Sequence, residues 1–306
     1  MTIKTTNNPM ICDPESGICE IPEQKISDQK NIMNTGSTPL KVLYFTDPIC
    51  SSCWGIEPQL RKLKLAYGDI IEIEYHMGGL LPDWSYNSGG ISKPSDVAHH
   101  WDEVSMYYNM PIDGDVWLED PLDSSYPPSI AFKAAQLQNE NKAINMLRVM
   151  REMVFLKKMN IAKVEVIIEA ATKAGLDINR FGADLNGIAK DEFSKDLALA
   201  RSMHVRGFPT IFFNDMEGNT EMVYGYKAFN AYEEAITKLV PAAAKRDYPK
   251  DWKNLFQTYN TLTTREFAEL SALTSEDADK KLNILLEAGS IWRYNAKNGA
   301  LWISKP

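Results

Sequence analysis

The chain has 306 residues, enough for about two domains at roughly 150 residues each. Its composition, 44% hydrophobic and 24% charged, is that of a globular protein and excludes a disordered or fibrous one. Basic residues number 33 and acidic residues 41, so the net charge of −8 offers no basic surplus to attract nucleic acid or an acidic membrane surface.

Residues 1–40 are rich in Asn, Thr, Ser, Asp, Glu and Lys without hydrophobic periodicity, which predicts a flexible tail. No basic stretch followed by an apolar run opens the chain, and no apolar run approaches about 18 residues. The expected compartment is the cytoplasm, with no membrane contact. Lys41 to Thr46 is a short β-branched and aromatic run stopped by Asp47-Pro48, and it reads as a buried strand. Cys50 to Tyr67 has helical spacing, with Gly68 as its cap, and Ile70 to Tyr75 alternates as a second strand. Strand, helix and strand in this order make a βαβ unit.

From about 95 to 205 the pattern predicts some five helices. Val164, Ile167, Ile168, Ala171 and Ala174 share one face, and Met146, Val149, Met150, Met153 and Val154 form a core stripe. After Gly207-Phe208-Pro209, Thr210 to Phe213 and Met222 to Tyr224 read as strands around a turn at 215–219. Phe229 to Val240 reads as a closing helix. Residues 243–256 read as a linker. Beyond it, Thr263 with Glu266 forms a capping box, and Thr274 with Asp277 opens a second helix. Asn298-Gly299 lies between two short strands, a hairpin signal, so the last unit has the order of a winged helix. It carries eight basic and eight acidic residues over 247–306, which argues against DNA and for a docking or dimerisation role.

The four cysteines are too few for a disulfide scaffold, and they fall in two pairs. Cys50-Ser51-Ser52-Cys53 opens a helix just after a strand, where N-terminal backbone N–H groups favour a thiolate. Cys50 is the expected nucleophile and Cys53 the resolving thiol. In the tail, Cys12 and Cys19 flank Pro14 and Gly17, placed for a turn, and they are candidates for a redox relay with Cys50 and Cys53. Four-thiolate zinc is the competing reading of the cysteines, weaker because Cys50 and Cys53 occupy a strand-to-helix turn. His76, His99, His100 and His204 have no metal-ligand spacing, and no phosphate-binding glycine loop occurs, so neither metal nor cofactor is expected. Trp54, Trp84, Trp101 and Trp117 read as core aromatics or as walls of a peptide groove.

The strand–Cys-x-x-Cys–helix, the helical insertion and Phe208-Pro209-Thr210 resemble the DsbA family of thioredoxin-fold oxidoreductases over residues 41–246. The resemblance implies a cis-proline at Pro209 beside the dithiol. It also implies thiol–disulfide exchange by Cys50, Cys53 and Pro209 on protein or small-molecule thiols and disulfides, with Phe208, Ser51, Ser52 and Trp54 facing the substrate. The chain departs from the family in its Ser-Ser dipeptide and in Tyr44, which stands where many members have a buried acid. Asp47 to Trp54, Gly114 to Trp117, Ala131 to Ala135, Asn160-Ile161 and Gly299 to Trp302 are further similar to YjbH-type proteins, adaptors that present the regulator Spx to ClpXP. That likeness implies a non-enzymatic alternative. The expected architecture is α/β. A tail (1–40) precedes a thioredoxin fold (41–246) carrying a helical insertion at about 95–188, and a small winged-helix-like domain (257–306) ends the chain.

Overall fold

The computed structural model describes residues 12–13, 18–20, 40–85 and 92–305. Two short strands, β1 (Cys12–Asp13) and β2 (Ile18–Glu20), lie within the tail. They correct the expectation of a tail without elements. Strand pairing satisfies backbone groups whatever the side chains, so a polar composition does not forbid it. The turn expected around Pro14 and Gly17 lies outside the described residues.

Val42, Tyr44 and Phe45 carry β3 (Leu40–Thr46) through the core with both faces buried. The helical stretch that follows is two helices rather than one, α1 (Ser51–Gly55) and α2 (Glu57–Tyr67). Pro58 has no N–H to offer the carbonyl of Trp54, so the hydrogen-bond ladder breaks at Ile56. β4 (Ile71–Met77) then returns parallel to β3, completing the βαβ unit.

Among the described residues, seven helices, against about five expected, make up the middle of the chain. They are α3 (Pro94–Tyr108), α4 (Val116–Glu119), α5 (Tyr126–Gln136), α6 (Glu140–Leu156), α7 (Val164–Lys173), α8 (Ile178–Asn186) and α9 (Ala189–Ser202). Met146, Met150, Met153 and Val154 of α6 are fully buried, so the methionine stripe is core. On α7 the buried face is Val166, Ile167, Ala170 and Ala171, while Val164 is 62% exposed. Val164 is the first residue of α7 and lies off the face that Val166 and Ile167 bury in the same turn.

The chain then forms β5 (Gly207–Phe208), which lies in a small sheet of order β1-β2-β5, and re-enters the central sheet through β6 (Thr210–Asp215) and β7 (Thr220–Tyr224), followed by α10 (Phe229–Leu239). The central sheet has the order β4-β3-β6-β7, with β6 antiparallel to both β3 and β7. Part of the expected linker is helical: Asp251 caps α11 (Trp252–Thr258) by accepting from Lys253 N and Asn254 N. Next come β8 (Thr261–Thr263), α12 (Thr264–Ser271), α13 (Ser275–Glu287), β9 (Ile291–Ala296) and β10 (Gly299–Ser304), with sheet order β8-β10-β9. The Thr263–Glu266 capping box is present with both of its hydrogen bonds.

Candidate functional site

The C-terminal end of β3 delivers Thr46 and Asp47 to the foot of α1, whose N-cap is Cys50. Cys50 N donates to Asp47 O at 3.2 Å, and Cys50 Sγ accepts from Cys53 N at 3.1 Å. Both cysteines are free thiols and both are fully buried. The Phe208–Pro209 peptide is cis, and Gly225 N donates to Pro209 O at 2.9 Å. Phe208 is itself fully buried, its ring lying over Gly78, where even a Cβ would fall 1.7 Å from the ring.

Three of the residues expected to face a substrate are turned inward instead. Trp54 is fully buried and stacks on Phe155 at 5.6 Å, with its Nε1 donating to Pro111 O at 3.0 Å. Ser52 Oγ is bonded to the Tyr108 hydroxyl at 2.7 Å, and Ser51 is buried. Their position on the first turn of α1 sets this direction, because α1 runs into the core against α3. Trp101, Trp117 and Trp84 continue the aromatic packing beneath Trp54: Trp101 lies 4.7 Å from Phe155, and Trp117 lies 5.2 Å from Trp101 and 5.9 Å from Trp84. These tryptophans hold the insertion together rather than line a groove. His76 pairs with Asp196 at 2.8 Å, beside Lys133. His99 and His100 lie in α3 and His204 follows α9. Among the described residues, no cluster of His, Cys, Asp and Glu could hold a metal, and no helix is long and apolar enough to cross a membrane.

The electrostatics of the dithiol reverse the expected order. Burial pushes the Cys50 thiol well up, and its contact with Cys53 adds to this. Burial also opposes charge on Cys53, but the hydrogen bond from Cys50, the Arg151 guanidinium and the hydroxyls of Thr46 and Tyr44 outweigh it. The Cys53 thiol is therefore held below the ordinary thiol range. Thr46 Oγ1 donates to the Tyr44 hydroxyl at 3.0 Å, so Tyr44 replaces the family's buried acid with a hydroxyl in this network. Asp47 accepts from Ile49 N, Leu80 N and Ser125 Oγ at 2.8–3.0 Å. Burial still raises its carboxyl to about 6.

Arg151 was not legible as a site residue. It is fully buried on α6, donates to Thr46 Oγ1 at 2.6 Å and pairs with Glu57, and among the described residues its Nε has no hydrogen-bond partner. Its signal in the sequence is the Arg-Glu pair interrupting an apolar run, Val149 to Leu156. From Glu57 the charges continue through Arg61 to the buried Glu266. Arg148 binds Glu266 with two nitrogens at 2.7 and 3.0 Å, Glu152 at 2.7 Å, and the face of Trp54 at 4.5 Å. Three arginines and three glutamates thus tie α2, α6 and α12 together around α1.

The family described as Thioredoxin matches residues 43–234. The chain is 34% identical over 300 residues to the ClpXP adapter protein SpxH of Halalkalibacterium halodurans, covering 92% of this chain and 96% of that one. It is 30% identical to the protein of the same name from Bacillus subtilis, covering 87% and 89%. Among solved structures, the cytosolic disulfide reductase DsbM from Pseudomonas aeruginosa superposes with a TM-score of 0.54 at 21% identity, covering 66% of this chain and 100% of that one, which shows the fold. The expectation of an enzyme, a thiol–disulfide oxidoreductase, is corrected by these relatives, which are named as adaptors. A Cys-x-x-Cys on a thioredoxin fold specifies a dithiol, and a dithiol is not by itself turnover. With the family pattern across the sheet and the adaptor relatives across nearly the whole length, the chain belongs to the thioredoxin family, in its DsbA-like group of the SpxH and YjbH type.

Proposed function

We propose that this chain is a non-enzymatic adaptor that brings a protein partner to the ClpXP protease. One observation supports this reading above others. Likeness to a ClpXP adapter protein covers 92% of this chain, whereas likeness to the disulfide reductase covers 66% of it. The partner is a protein rather than a small thiol. Ile284 and Trp292, 58% and 50% exposed on the C-terminal unit, supply apolar surface for it. The buried charge network holds that unit against α2 and α6, so a partner bound there is presented in a fixed orientation.

Reconstituted proteolysis tests this, with purified ClpXP, ATP and Spx, and with the full chain present or absent. The chain is expected to speed loss of Spx about tenfold, roughly 1.4 kcal/mol of barrier. The Cys50→Ala/Cys53→Ala variant is expected to stay within about twofold of that rate. No acceleration at saturating chain, or acceleration lost in the double variant, overturns the proposal.

A further inference from the structure

The tail strand runs beside the strand that ends at the cis-proline. β2 pairs antiparallel with β5, with Cys19 directly opposite Phe208 and Glu20 opposite Gly207. Phe208 immediately precedes the cis-proline, and β2 also lies against α1, the helix that Cys50 caps. On its other side β2 pairs with β1, and there Cys12 is the residue directly opposite Cys19. Residues facing each other in antiparallel strands have Cα atoms about 4.5–5.5 Å apart, inside the disulfide window of about 4.4–6.8 Å. The order across the sheet is therefore Cys12, Cys19, Phe208, and α1 lies against its middle strand. Strand addition of this kind is how extended segments dock on an open edge, and here the docked segment is covalently attached. Attachment replaces a bimolecular encounter by an intramolecular one, with an effective concentration that a free thiol does not reach.

We infer that Cys19 is the built-in exchange partner of Cys50, and that a disulfide formed between Cys50 and Cys53 passes through Cys19 to the Cys12–Cys19 pair. The oxidant is a small hydroperoxide, able to enter a buried site. The Cys53 thiolate attacks the peroxide oxygen and becomes a sulfenic acid; Cys50 then attacks the Cys53 sulfur, the disulfide forms, and two waters are released from hydrogen peroxide. Next the Cys19 thiolate attacks Cys50 Sγ. The Cys50–Cys53 bond breaks and its electron pair leaves with Cys53, the sulfur whose charge Arg151, Thr46 and Tyr44 support. Finally the Cys12 thiolate attacks Cys19, and Cys50 leaves. The two protons lost by Cys12 and Cys19 end on Cys50 and Cys53, and two electrons have moved from the tail to the core pair. This event occurs once per chain and needs no turnover, so it stands apart from the adaptor reading.

Hydrogen peroxide treatment of the full chain, acid quenching, alkylation and peptide mass spectrometry test the transfer. In the unsubstituted chain the Cys50–Cys53 disulfide is expected first, and Cys12–Cys19 is expected to grow as it declines. The Cys50→Ser/Cys53→Ala variant is expected to form Cys12–Cys19 about tenfold more slowly, since the intramolecular route is gone. In Cys12→Ser/Cys53→Ala, a Cys19–Cys50 cross-link is expected. Moving the thiol one register position in that background, by Cys19→Ser with Ile18→Cys, is expected to lower its yield about tenfold, because adjacent strand residues face opposite ways. Equal Cys12–Cys19 rates with and without the core thiols overturn the inference, as does a cross-link indifferent to the shift. The unsubstituted time course needs no variant: Cys12–Cys19 appearing without prior Cys50–Cys53 overturns it as well.

Discussion

Replacing Glu266 by Gln removes one negative charge from the buried network and nothing of its volume. Glu266 is fully buried; its Oε1 lies 2.7 Å from Arg148 Nη1 and 3.2 Å from Arg61 Nε, and its Oε2 accepts from Arg148 Nη2 at 3.0 Å and from Thr263 N at 2.7 Å. Both oxygens are occupied only by donors, so the amide nitrogen of the substituted side chain meets an N–H whichever way it is turned. Three arginines would also face two glutamates, leaving one buried positive charge unbalanced. Breaking a buried pair from one side costs about 3–5 kcal/mol. Thr263→Ala, which removes only the capping hydroxyl of the same turn, costs about 1 kcal/mol. Urea unfolding followed by circular dichroism separates the two: with a slope of roughly 2–3 kcal/mol per molar, Glu266→Gln lowers the midpoint by about 1–2 M. Arg148→Met combined with Glu266→Met restores charge balance in a packed, apolar form and recovers most of the loss. If Glu266→Gln costs no more than Thr263→Ala, or if the double Met variant is as unstable as the single amide, the network is not what holds the C-terminal unit in place.

Two further outcomes follow from the foot of α1. Asp47 is raised from 3.8 to about 6 by burial, so the fold favours its protonated form. The stability this contributes is complete below pH 3.8 and lost as pH rises through about 6. A shift of about two units corresponds to roughly 3 kcal/mol. The penalty of Asp47→Asn, measured by urea unfolding from pH 4 to pH 7, should shrink with pH by that order, and a penalty that grows with pH contradicts the assignment. Gly78→Ala places a Cβ 1.7 Å from the Phe208 ring, and overpacking of this kind costs about 1–3 kcal/mol or more. Displaced Phe208 should also release β2, read as faster hydrogen exchange of the residue 18–20 amides, and unchanged exchange at these positions would refute the coupling.

Local signals carried much of the fold. The apolar run into Asp47-Pro48, the capping box at Thr263 and Glu266 and the cysteines at the first turn of a helix each depend on residues a few places apart, and each stands in the structure where the sequence puts it. The cis peptide before Pro209 matches what the family resemblance implied. What the sequence could not show was anything decided by residues distant along the chain. Polar residues in the tail read as unstructured, yet β2 pairs at the Gly207–Phe208 edge, because a free edge supplies backbone partners that composition does not reveal. Trp54 and Ser52 looked available beside the dithiol, and α3 and α6 cover them. Arg151 read as an interruption of an apolar stripe. Only the packing of α6 under β3 puts its charge beside Cys53 and, through Glu57 and Arg61, within reach of Glu266. Helix caps and strand breaks are set by short-range hydrogen bonds, which neighbouring residues encode. Burial and charge pairing are set by which surfaces meet, and that is settled only when the whole chain has closed on itself.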